Sequence, residues 1–122
     1  MRFAADSNPG MNLIRAYAPG TLTINDAVLH SSVSLSAGTL QPLPAVRDAS
    51  DLQLEHAEAL LLTDPEIVLL GTGATQVFPD SRWRATFLTR AIGLEVMTTA
   101  AACRTYNVLA AEKRRVTALL IP

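Results

Sequence analysis

Among 122 residues the chain has one cysteine, one lysine and two histidines. Cys103 alone cannot close an internal disulfide, and it excludes a zinc site built from several cysteines. His30 and His56 leave a conventional zinc site few ligands to draw on. No apolar run approaches the about 20 residues of a membrane-spanning helix. Residues 1–10 lack a long apolar core and carry Asp6, so no secretory signal is read there. They are also poor in arginine for a mitochondrial transit peptide. Residues 1–10 are expected to be a weakly ordered extension, with Met11 as an alternative start, and residues 11–122 a single domain. No internal repeat, low-complexity tract or linker divides the chain. A cytoplasmic protein without a cofactor is expected. No nucleophile–base–orienter set or metal cluster assembles from the residue list, so no catalytic residue is assigned.

What is present is enough apolar sequence for a core. Hydrophobic residues make up 49% of the chain and charged residues 17%. A chain of this length buries roughly two-thirds of its unfolded surface on folding and needs no staple. The formal net charge of −1 hides an asymmetry. Residues 1–71 carry three arginines against eight acids, whereas residues 72–122 carry seven basic residues against three acids. Solvated helix faces of opposite sign account for this; the sharper reading is a basic face that meets an acidic partner or a phosphate.

The periodicities predict an α/β fold: an N-terminal antiparallel β meander, then a β-α-β-α-β unit in a mixed sheet. Residues 12–36 read as the meander, with Pro19-Gly20 and Asn25-Asp26 at its turns. Residues 37–51 read as irregular, and Pro42 and Pro44 there forbid a central strand but allow an edge one. A short helix over 52–62 ends at Asp64-Pro65. Residues 67–70 form a continuous apolar run, as expected for a strand covered on both faces. A helix over 80–92 carries Trp83, Phe87 and Ala91 with Leu88 and Ile92, capped by Asp80 or Ser81 and ended by Gly93. A strand over 94–97, a helix over 99–113 capped by Thr98 or Thr99, and a strand over 116–121 complete the unit. Strand, helix, strand, helix, strand predicts parallel pairing with right-handed crossovers.

Two groups of residues are candidates for function. Gly71, Thr72 and Gly73, with Thr99 and with Arg104 or Asn107, fall where parallel strands end and a helix begins, which is where α/β sheets place ligand crevices. Backbone N–H groups there favour anions. The dinucleotide fingerprint is incomplete, because Gln76 stands in place of its third glycine. Asn107, a mediocre helix former, is read either as a structural hydrogen-bonding group, reaching the Gly71–Gly73 loop, or as a ligand contact. Cys103 reads as a small buried hydrophobe. The second group is Arg82, Arg84 and Arg90, an interaction surface held by a core Trp83, since arginine is over-represented at binding hot spots. The first expectation for function is a protein-interaction or assembly module whose partner is open, self-association being one option, since the edge strands of the meander present unpaired backbone groups. The alternative is a small-molecule or anion site at the strand ends. No nucleic-acid partner is expected.

The residues also carry a resemblance. Ile67-Val68-Leu69-Leu70-Gly71-Thr72-Gly73, then Gly93-Leu94-Glu95-Val96-Met97, then Thr99, Ala102-Cys103, Thr105-Tyr106-Asn107-Val108-Leu109, Glu112 and Arg114, and finally Ala118-Leu119-Leu120-Ile121-Pro122 form the pattern. It resembles a small domain family of largely unknown function. That family includes a mitochondrial respiratory complex I assembly factor, an adipogenesis-associated cytosolic protein and many uncharacterised bacterial and archaeal members. The resemblance implies three layers, with helices on one side of a mixed sheet and a small β layer on the other. It implies no enzyme activity and a role exercised through protein partners. The chain departs from the family at Asn25-Asp26, near Leu43, at Thr98 and at Lys113, where the family often has Asn-Gly, tryptophan, aspartate and glycine.

Overall fold

The structure, a computed structural model, describes residues 10–122. The expectation for residues 1–10 therefore lies, apart from Gly10, outside the described residues.

Three short strands form a separate antiparallel sheet: β1 (Ile14–Ala18), β2 (Thr21–Ile24) and β3 (Ala27–Leu29). Gly20 supplies a positive φ of 84° after Pro19, and Asn25 takes φ 54° at the second turn. Both turns fall where glycine and asparagine tolerate the left-handed region. The meander is shorter than the sequence predicts. β4 (Ser32–Leu35) leaves it and pairs antiparallel with β5 (Leu40–Leu43) on one side and with the C-terminal strand on the other. Period-two alternation fixes which face of a strand is apolar but not which sheet it joins. Within the stretch expected to be irregular, β5 is an edge strand, the kind that its one proline allows, with Pro42 opposite Val33.

The main sheet has the order β5-β4-β8-β6-β7, where β6 is Ile67–Thr72, β7 is Gly93–Met97 and β8 is Val116–Ile121. β6 lies at the centre of the parallel part, with β7 on one side and β8 on the other. The helix α1 (Leu54–Leu60) precedes β6, α2 (Ser81–Leu88) joins β6 to β7, and α3 (Thr99–Ala111) joins β7 to β8. The first crossover steps outward by one strand and the second steps back past β6. Two crossovers of the same hand in opposite directions must put their helices on opposite faces.

The core shows that division. Leu69, Ala118 and Leu120 face α3 and the meander, packing with Cys103, Tyr106, Ile14, Leu22 and Ile24. Val68, Leu70, Leu119 and Ile121 face the other way, onto Ala57 and Leu60 of α1 and Trp83 and Phe87 of α2. The three layers are present. The helices, however, are shared between the two outer layers instead of lying together, because the direction of winding reverses at β6.

The helix ends differ in detail from expectation. Asp80 caps α2 by accepting from the Arg82 N–H at 2.9 Å, and Thr98 caps α3 by accepting from Ala101. The helix α2 stops at Leu88, and its left-handed closing residue is Ala91, φ 57°, not Gly93, which begins β7. The Ile92 N–H returns to the Phe87 carbonyl at 3.0 Å, closing the helix as a glycine would. Leu88, expected on the buried stripe, is 71% exposed. The end of α3 repeats the motif at Lys113, φ 61°, with Arg114 N–H donating to Leu109. The charge asymmetry is partly consumed at this end of the sheet. Glu66 accepts from the Arg115 N–H and from the Arg114 guanidinium, which hold its carboxyl below the usual range, and Arg115 also pairs with Asp64.

A β-carbon in the left-handed region costs about 1–2 kcal/mol, more than glycine's extra unfolded-state entropy returns. Ala91→Gly and Lys113→Gly are each expected to stabilise the fold by about 0.5–1 kcal/mol. Urea unfolding checks this: the midpoint should rise at unchanged m value.

Candidate functional site

The C-terminal ends of β6 and β8 meet the start of α3 at Gly71. A β-carbon there would lie 3.0 Å from the Thr99 Cα, 3.1 Å from the Ala102 Cβ and 3.1 Å from a Leu120 methyl. Glycine is needed because helix backbone passes directly over the strand. Thr99, fully buried, then ties three segments together. Its hydroxyl accepts from the Gly73 N–H at 2.7 Å and donates to the Ile121 carbonyl at 2.5 Å, and its own N–H donates to the Gly73 carbonyl at 2.9 Å. The Thr72 hydroxyl donates to Thr75 and accepts from the Val77 N–H, folding the loop back on itself.

The structure thus brings Gly71, Thr72, Gly73 and Thr99 together, with these polar groups bonded to one another. It does not bring Asn107 to them. The Asn107 amide reaches the meander instead. Its oxygen accepts from the Ile14 N–H at 3.0 Å and its nitrogen donates to the Ile14 carbonyl at 2.7 Å. This corrects the expected contact with the Gly71–Gly73 loop. The strand register slips at Arg15, a β-bulge, and Ile14 lies on the edge of the small sheet, so the amide serves as its missing neighbour. The adjacent Tyr106 hydroxyl donates to the Asn12 carbonyl at 2.8 Å. Asn12 in turn accepts from Asn25 and donates to the Ser36 and Thr39 carbonyls. Arg104, exposed on α3, lies beside Cys103. Burial pushes the Cys103 thiol up to about 12 and the Tyr106 phenol upward as well. Such a thiol is an inert core group.

Arg82 and Arg84 are exposed on α2, and Arg90 is exposed in the turn that follows it. Trp83 is 1% exposed and packs on Phe87, ring centroids 6.3 Å apart, so it anchors the helix as expected. Arg82 pairs with Asp80 at 3.1 Å, and Arg90 donates to the Thr86 carbonyl. Arg84 borders a groove of about 210 Å³ with Phe78, Pro79, Leu94 and Val96. Sequence reasoning missed this groove. Its one signal was an apolar pair, Val77-Phe78, inside a loop; Phe78 is 63% exposed. Among the described residues no three histidine, cysteine, aspartate or glutamate side chains gather as a metal site would need.

Residues 14–121 match the sequence profile described as a protein of unknown function, DUF498/DUF598. The chain belongs to this family. Within DUF498/DUF598 surroundings, it is 43% identical to a Xanthomonas campestris protein of known structure, covering 90% of this chain and 83% of the other at a TM-score of 0.81. A Bordetella pertussis protein described as an Mth938-like domain superposes with a TM-score of 0.84 at 26% identity, covering 100% and 92%. A zebrafish (Danio rerio) protein named NADH dehydrogenase [ubiquinone] 1 alpha subcomplex assembly factor 3 is 34% identical over 90% of this chain, which spans 64% of that protein. A Francisella tularensis protein named 13 kDa major membrane protein is 29% identical, covering 88% of each chain. No helix among the described residues of this DUF498/DUF598 member is long and apolar enough to cross a membrane.

Thr99→Val keeps the shape of the side chain but leaves the Gly73 N–H and the Ile121 carbonyl without their partner. A loss of about 2–4 kcal/mol is expected by chemical denaturation. Asn107→Ala should cost about 1–3 kcal/mol for the same reason at Ile14. The thiol gives a pH test. Cys103 ionises near 9.0 when unfolded and near about 12 when folded. Its contribution is therefore complete below pH 9 and is lost as pH rises toward 12. Alkaline unfolding should move to higher pH in Cys103→Ser, and a thiol reagent at pH 8 should react only once urea has unfolded the chain.

Proposed function

We propose that this chain is a non-enzymatic protein-interaction domain of the assembly-factor kind. The observation that carries the reading is the exposed surface of α2 and of the turn that follows it. A buried tryptophan fixes the helix, while Arg82, Arg84, Arg90 and an exposed Leu88 are left pointing outward. Arginine around an apolar centre is the composition of a binding surface for an acidic partner. The similarity to the zebrafish assembly factor supports the same reading, although this chain spans only part of that protein. Exposed charges act mainly on encounter rate, so binding should weaken with salt. A cytoplasmic location belongs to this proposal.

The alternative is a small-molecule or anion site at Gly71, Thr72, Gly73 and Thr99, with Arg104 or Asn107. A ligand there would have to displace the Gly73–Thr99 bonds, and Asn107 is engaged at Ile14. A thermal-shift panel of phosphates, nucleotides and carboxylates separates the two, since a shift abolished by Gly73→Val would favour the ligand site.

Affinity purification from the native cell tests the interaction reading. The wild type should recover a partner in the soluble fraction, and a variant with Arg82, Arg84 and Arg90 changed to glutamate should lose it. Identical behaviour of the two, with no partner recovered, removes the support for this function.

A further inference from the structure

The outer edge of β7 is open. β7 ends the main sheet, and among the described residues no strand pairs with its far side. The other end of the sheet is protected, because β5 carries Pro42. The parity of β7 is fixed by its pairing with β6. Gly93 N–H donates to the Glu66 carbonyl at 3.2 Å, and parallel strands alternate, so residues 93, 95 and 97 bond inward. Leu94 and Val96 therefore direct their N–H and C=O groups outward. The Val96 carbonyl accepts from the Gln76 side-chain amide at 2.8 Å, a placeholder for a backbone donor.

The side chains along this edge define what would fit. Leu94 and Val96 turn toward the α2 face, where Phe78, Pro79, Asp80, Ser81 and Arg84 complete the groove. Glu95 turns to the opposite face and is exposed. Self-pairing is disfavoured by charge. The antiparallel register that uses both outward residues of each copy places Glu95 directly opposite Glu95, and like charges in that position repel. A strand with lysine or arginine opposite Glu95 meets the reverse situation.

We propose that the β7 edge receives an extended segment of a partner protein as an added antiparallel strand, with a basic residue opposite Glu95 and apolar residues on either side entering the groove beneath Phe78. Backbone pairing with Leu94 and Val96 supplies the affinity, and the alternate side chains supply the selectivity. The Gln76 amide gives way to the incoming N–H. This rests on the interaction reading above and names the site and the kind of segment bound.

Two synthetic nonapeptides test it. They are identical, with apolar residues flanking the centre, and differ only in a central lysine or glutamate. Fluorescence polarisation measures binding to wild type, Glu95→Lys, Phe78→Asp and Gln76→Ala, with thermal melts to confirm that each variant folds. The lysine peptide should bind the wild type about three- to tenfold more tightly than the glutamate peptide, and Glu95→Lys should invert that order. Phe78→Asp should weaken both peptides and Gln76→Ala should strengthen both. Hydrogen exchange at the Leu94 and Val96 amides should slow on binding. The proposal is overturned if those amides stay unprotected, if charge reversal leaves the order unchanged, or if the amides are already protected by a concentration-dependent dimer. A partner recovered in the affinity purification and lost with the arginine variant, but bound equally by Glu95→Lys and Phe78→Asp, would leave the interaction function standing and remove this site.

Discussion

The arrangement depends on the close approach of α3 to β6 at Gly71. Only hydrogen at that position lets the helix backbone at Thr99 sit against the strand. Once there, the buried Thr99 hydroxyl satisfies a donor on the loop after β6 and an acceptor at the end of β8. Buried polar groups left unpaired in such a place would cost about 1–3 kcal/mol each. The contact therefore fixes the depth of the helix and the spacing of three chain segments at once.

The rest of that face follows from where α3 is seated. Its inward side packs Ala102, Cys103, Tyr106 and Ala110 on the sheet. Its rim carries Tyr106 and Asn107 to the meander, where they bond the backbone of Asn12 and Ile14. A sheet of short strands needs an apolar face to pack, or a helix to pack on, to be stable. The meander persists because its inner face joins the main core and because the edge of β1 is completed by a side-chain amide. Asn25 extends the same network, accepting from the Leu13 N–H and donating to Asn12.

The opposite face is built differently and is left more open. There α1 and α2 cover the sheet through Ala57, Leu60, Trp83 and Phe87. Residues 73–80 run as a loop from β6 to α2, which leaves Phe78 exposed and Leu94 and Val96 lining a groove on an unpaired edge. The groove lies beside Arg84, so the arginine surface and the open strand edge are neighbours.

How much of this the residues announced depends on the range of each interaction. The strands over 67–70, 94–97 and 116–121 and the order that predicts their parallel pairing are carried by local composition and period, and the sequence alone determined them; it narrowed the caps of α2 and α3 to two residues each, and the fold uses Asp80 and Thr98. For residues 40–43 the sequence only excluded a central strand, because Pro42 lacks the donor that one needs, and pairing with β4 made them an edge strand. Tertiary structure decided the rest. Alternation cannot say that β4 joins β8 instead of β3, since both choices bury Val33 and Leu35. A helical period cannot say that Ala91 closes α2, because that depends on the strand Gly93 must start. Asn107 could be recognised as a polar group in a helix, but its partner is the Ile14 backbone, 93 residues away in the chain. Such a bond is specified by the seating of α3 on Gly71, and no local pattern encodes it.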